Sequence, residues 1–182
     1  MAVAAIIAAV QIVGGSAGPL ILPLAQTLVA KANTAKTPAD ARRLVERALA
    51  LQPANAALWV TLARIDAQDP GGIGATSFAM LDRSYLVGPY DPRVLADRVS
   101  FAFDHWDALP ADLKVQVQHE VDTAWSVQDQ RQRLNNVLGS LTDPRGRLVY
   151  WTELFNLHLA DISAWVAQHG PATPQPSAAP AL

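Results

Sequence analysis

Leu148, Trp151, Phe155, Leu159, Ile162 and Val166 follow one another at spacings of 3, 4, 4, 3 and 4 residues. That period matches one face of an α-helix and cannot be laid on a strand, whose faces alternate at every second residue. The same rhythm returns in Leu113, Val117, Val121, Ala124 and Trp125, and no segment alternates with a period of two. The chain is therefore expected to be all-α.

Punctuation residues divide this pattern into elements. Thr37 reads as an N-cap with Pro38 at the first helical position, opening a helix that runs to Leu51. Gln52-Pro53-Ala54-Asn55 breaks the run, and a second helix is expected from Asn55 to Gln68. A glycine-rich loop, Asp69 to Ser77, precedes a helix from Phe78 to Val87. Asp91 with Pro92 is expected to cap the next one, through Phe103 to His105. Leu109-Pro110 opens another, a shorter helix lies around Arg131 to Leu138 and ends at Gly139, and the stripe helix runs from Leu148 to Gln168.

Charge is distributed in a way that separates the ends from the middle. All 14 basic and 16 acidic side chains lie between Lys31 and Asp161. A net charge of −2 gives no basic stripe for nucleic acid. The absence of cysteine excludes disulfides, thiolate nucleophiles and cysteine metal sites. No cofactor or metal is expected. The tail from Gly170 carries four of the 13 prolines and no charge, and reads as a disordered segment over 170–182.

Residues 1–30 are apolar, and the run from Ala2 to Ala25 exceeds the ~20 residues a helix needs to cross a bilayer. It reads first as a membrane anchor meeting lipid through residues 1–25. Two alternatives stand beside it. One is a cleaved export signal, with Ala30-Lys31-Ala32 as its small-x-small site. The other is a buried first helix, favoured for the second half of the run by Pro19 and Pro23. Lys31, Lys36, Arg42 and Arg43 follow the run and place the domain in the cytoplasm by the positive-inside tendency. A late-assigned start would reverse that, so the side of the membrane stays open, with a lean to the periplasmic face of an inner membrane.

Within the 31–169 domain one pattern repeats. Ala41, Val45, Ala48 and Pro53 return in position as Met80, Ser84, Val87 and Pro92. Trp59, Leu62 and Ala63 return as Arg98, Phe101 and Ala102. The two prolines are 39 residues apart, against a helix-pair period of about 34, and the extra residues fall in Gly71 to Ala75. Over residues 22 to 125 the chain resembles the tetratricopeptide-repeat family. Arg98 and Ser84 depart from its aromatic and bulky positions, and Asp66 from its tyrosine. The resemblance implies a short array of antiparallel helix pairs, the N-terminal apolar helix at one end and the helix Leu148 to Gln168 as C-terminal cap. It further implies a concave partner-binding face lined by Arg64, Gln68, Val99, Phe103, Trp106 and Asp107.

Catalytic patterns are sparse. His119-Glu120 begins like a zinc-protease motif, but Thr123 stands where the second histidine is required, so a surface pair is expected. The glycine loop lacks the lysine of a phosphate loop. Asp104, His105 and Asp107 gather two carboxylates and an imidazole around Trp106, with no serine or cysteine placed to use them. His158, Trp125, Trp151, Phe155 and Trp165 are expected in the core and cap, although five tryptophans leave room for some at a partner interface. The sequence thus predicts a non-catalytic protein-binding module at a membrane, an adaptor or assembly factor of an envelope complex. The alternatives are a small integral subunit packing through residues 1–30, and a hydrolase-like enzyme using His105.

Overall fold

A computed structural model describes residues 21–169. The tail, and the expected anchor up to residue 20, lie outside the described residues. The described residues form eight helices and no strand: α1 (Ile21–Asn33), α2 (Pro38–Leu51), α3 (Ala56–Asp66), α4 (Ala75–Val87), α5 (Leu95–Asp104), α6 (Ala111–Trp125), α7 (Gln128–Ser140) and α8 (Pro144–His169).

The helix starts follow local chemistry. Thr37 Oγ1 accepts from the Asp40 amide at 3.1 Å, and Pro38 occupies the first turn, where no amide is needed. Thr37→Ala is expected to cost about 1 kcal/mol, read as a shift in the urea midpoint. Asn55 Oδ1 accepts from the amides of Ala57 and Leu58 to open α3. Trp59 Nε1 donates to the Pro53 carbonyl at 2.9 Å, fastening α3 to the turn before it. Several boundaries differ from expectation: α4 begins at Ala75 rather than Phe78, and α8 at Pro144 rather than Leu148. Asp91 spends its carboxylate on the Arg93 amide and guanidinium, so α5 begins later, at Leu95. α7 begins earlier, at Gln128, and takes Gly139 into its last turn.

Neighbouring helices pack in sequence from α1 to α4, and α3 also meets α5. α5 in turn meets α6, α7 and α8. Ala41, Val45 and Ala48 of α2 are buried against α1 and α3, with Leu28, Leu58 and Leu62. The larger core gathers Leu81, Phe101, Phe103, Val117, Leu134 and Tyr150. α3 belongs to both, because Leu62 and Ile65 face the first and Ala63 the second. Ala102 is fully buried, while Pro53 and Pro92 stay exposed at their turns and Trp59 is half-buried.

α1 lies partly within the segment expected as an anchor. Ala25, Leu28, Val29 and Ala32 are buried, and α1 packs on α2. The segment from 21 onward is thus part of the helical body, and Ala25 is buried within it. Cleavage at Ala30-Lys31-Ala32 would strip α2 of this cover. Among the described residues no helix is long and apolar enough to cross a membrane.

Candidate functional site

Arg98 and Ser84, the two residues that depart from the expected repeat pattern, are bonded to each other. Arg98 is fully buried and its Nε donates to Ser84 Oγ at 2.9 Å. Its other nitrogens donate to the carbonyls of Ser84 and Gly88 and, at 3.0 Å, to Glu120 Oε1. Tyr85 Oη donates to Glu120 Oε2 at 2.7 Å, and the guanidinium lies 4.4 Å from the Tyr85 ring. Ser84 Oγ completes the set by donating to the Ala56 carbonyl. Glu120 is 2% exposed, so the expected surface pair His119-Glu120 is half wrong: His119 is exposed, and Glu120 is a core residue.

Every strong acceptor and donor in this cluster has a partner, which is what a buried ion pair requires if its desolvation is to be offset. Burial nevertheless pushes the Glu120 carboxyl above its ordinary 4.5, against the opposing pull of Arg98 and Tyr85. The folded chain therefore holds this proton more tightly than the unfolded one, and ionisation of Glu120 costs stability as pH rises through that window. Wild-type stability relative to Glu120→Gln is expected to fall from pH 4.5 upward, measured by urea unfolding across that range. Asp66, the third departure from the pattern, is likewise bonded: it takes Arg42 of α2 and the Ser77 hydroxyl of α4.

The expected concave face is not open. Val99 and Phe103 are fully buried. The reason is that α7 and α8 pack on α5: Tyr150 lies against the Phe103 ring with centroids 4.7 Å apart. Trp106 is half-buried and stacks on Phe103 at 4.6 Å, with the Lys114 ammonium 5.4 Å from its ring. Arg64 donates to the Asp97 carbonyl and Ser100 hydroxyl, tying α3 to α5. Gln68 and Asp107 are exposed, and Asp107 pairs with Arg145 at 2.9 Å. The six residues do not form one surface.

Asp104 is also committed. One of its oxygens accepts from the Thr142 amide and hydroxyl and the Asp143 amide, and so fixes the chain entering α8. His105 stands edge-on to Phe101 at 4.9 Å, and burial lowers its pKa below 6.5 although Asp104 opposes this. Asp104→Ala is expected to cost about 1–2 kcal/mol of stability through three lost hydrogen bonds, checked by thermal unfolding.

A pocket of ≈ 220 Å³ opens between the α4–α5 turn, α6 and α7, lined chiefly by Tyr90, Leu95, Ala124 and Val127, with Glu120, Thr123 and Gln130 as its polar members. Gln130 Oε1 is buried there without a partner. Among the described residues no cluster of histidine and carboxylate side chains suits a metal ion.

The most extended feature lies on α8. Gly146, Tyr150 and Leu154 turn onto the body, with Leu157 half-buried behind them. The strong stripe turns the other way: Leu148 is 64% exposed, Trp151 50%, Phe155 46%, Leu159 45%, Ile162 59% and Val166 51%, with Trp165 beside them at 61%. Expectation had buried this face and put Trp151, Phe155 and Trp165 in the core and cap. Only Trp125 is there; its indole donates to Asp161 at 3.0 Å, and His158, exposed, stands edge-on to its ring. α8 is apolar on two opposite sides, and the body covers one. The sequence carries both signals, since Gly146, Tyr150, Leu154 and Leu157 form a second helical stripe, but spacing alone does not say which is inward.

The chain matches no protein-family model, no curated protein and no solved structure.

Proposed function

We propose that this protein is a non-catalytic, tetratricopeptide-like interaction module of a membrane or envelope complex, tethered through its apolar N-terminal segment, and that the outward face of α8 is a protein-contact surface. The repeat reading is supported by the packing order: each helix from α1 to α4 meets the next, and the alternate helices α3, α5 and α7 meet in turn. Its departures from the family pattern fall in bonded sets, Arg98 with Ser84 and Asp66 with Arg42.

The observation that carries the functional reading is the exposed stripe from Leu148 to Val166. Single exposed apolar residues, such as Leu86 or Val115, are ordinary on a protein surface. A continuous apolar face with stacked Trp151 and Phe155, centroids 5.2 Å apart, is what a protein contact uses.

The test is quantitative co-isolation of the tagged full-length chain from membranes, wild type against Trp151→Gln/Ile162→Gln. The expected result is a stoichiometric companion, an untagged copy of the chain or a different protein, that the variant loses while keeping its helicity. A companion retained in full by the folded variant would remove α8 from the proposal.

A further inference from the structure

Resting on the reading of α8 as the contact face, we infer that its occupant is a second copy of this chain, with α8 lying against α8. Size is the first support. The outward side chains are 45 to 64% exposed, and seven of them showing about half of ~200 Å² each offer roughly 700 Å². One partner of a standard interface contributes ~800 Å². The face runs from Leu148 to Val166, about 27 Å along a single helix, which is a shape that another helix covers.

Charge is the second support. Between Arg147 and His169 the only ionised side chains are Glu153 and Asp161. Both are held by the chain's own body, Glu153 by Gln118 and Asp161 by Trp125 and Arg131. Two copies meeting at this face bring no like charges together, and nothing on the face asks for a partner of opposite sign. A lipid surface fits less well, because an interfacial helix carries lysine and arginine along its polar side, and this segment has none.

Sequence spacing is the third. Leu148, Phe155 and Ile162 are seven residues apart, and so are Trp151, His158 and Trp165, with the His158 ring turned toward Trp125. These are the two seam positions of a paired helix, where a seven-residue repeat keeps one side facing its partner. Beyond Leu154 only Leu157 and Asp161 are even half-covered, and an isolated stretch of that length is marginal as a helix in water. A second α8 supplies the missing cover.

The chain has no cysteine, so one introduced thiol reports one contact. Thr152→Cys and Ser163→Cys flank the face, and Lys36→Cys in the α1–α2 turn lies off it. Each full-length variant is oxidised in freshly isolated membranes, before detergent, and run on a non-reducing gel. The expected result is a covalent dimer through one or both flanking cysteines and none through Lys36→Cys. Adding Ile162→Asp, which lies beyond the last buried residue of α8, should reduce the dimer at least about tenfold with helicity unchanged. No dimer at either flanking position overturns the pairing. If those thiols are then shielded from a water-soluble maleimide and a bifunctional reagent joins them to a different protein, α8 remains the contact face and only the second copy is lost. Shielding with no protein joined places the face against lipid and also overturns the pairing. Thiols that stay open to the maleimide sink both readings.

Discussion

Replacing Gly146 by alanine is expected to cost about 3 kcal/mol or more of folding free energy, toward the upper end for overpacked sites. A Cβ at this position would lie 1.7 Å from the Phe103 carbonyl oxygen and 2.6 Å from its carbon. These are backbone atoms of α5 and cannot rotate aside, so α8 has to lift. Tyr150 would lift with it, losing its 2.8 Å bond to the Leu134 carbonyl and its place in the core. Gly139→Ala is the matched control. Nothing lies within 4 Å of its Cβ, it sits inside α7, and alanine there should stabilise by roughly 0.5–1 kcal/mol. Urea unfolding of the two variants reads the contrast. Equal stability of Gly146→Ala and wild type would mean that α8 does not seat on α5 as described.

Arg98→Ala is expected to cost about 3–5 kcal/mol, because it leaves the Glu120 carboxylate buried without its counter-charge. The same change strands the carbonyls of Ser84 and Gly88, each of which accepts from the guanidinium. Removing both charges in Arg98→Met/Glu120→Leu should leave the chain nearer to wild type than Arg98→Ala does. The net worth of a buried pair against apolar isosteres is small, whereas half a pair is costly. A double-mutant cycle measures this, and coupling well above 1 kcal/mol is expected for groups 3.0 Å apart. Simple additivity would mean that the two side chains do not share one desolvated cluster.

These two sites mark where the sequence was legible and where it was not. Helix existence was readable because Thr37, Pro38 and Asn55 act on their own amides, and the apolar period needs no knowledge of distant residues. The start of α5 was misplaced because Asp91-Pro92 has the form of a helix opening. The carboxylate that should cap the helix is taken by Arg93 instead. Arg98 and Glu120 lie 22 residues apart on different helices, so no local spacing announces their pairing. What could be noticed is that Arg98 and Ser84 both break an apolar pattern, and two breaks of opposite kind can satisfy each other.

The candidate site followed the same division. The α8 stripe was the clearest periodic signal in the chain, yet its direction was set elsewhere. Only a glycine at 146 lets α8 approach the Phe103 carbonyl, and that approach turns Tyr150 and Leu154 inward and the stripe outward. The groove expected from Val99 and Phe103 closed for the same reason, since the helix meant to cap the array lies on the helix meant to line the groove.

Amide hydrogen exchange along α8 tests most directly whether its outward face is covered in the working protein. The full-length chain in its membrane is compared with the Trp151→Gln/Ile162→Gln variant in the same preparation. Segments of α2 through α6 should exchange alike in both, since neither substitution touches them. Residues 158–169, which the body leaves largely bare, should be protected in wild type and exchange at the rate of a fraying helix in the variant. Fast exchange there in both chains would contradict the account, because an uncovered α8 would then be a free end and not a contact surface.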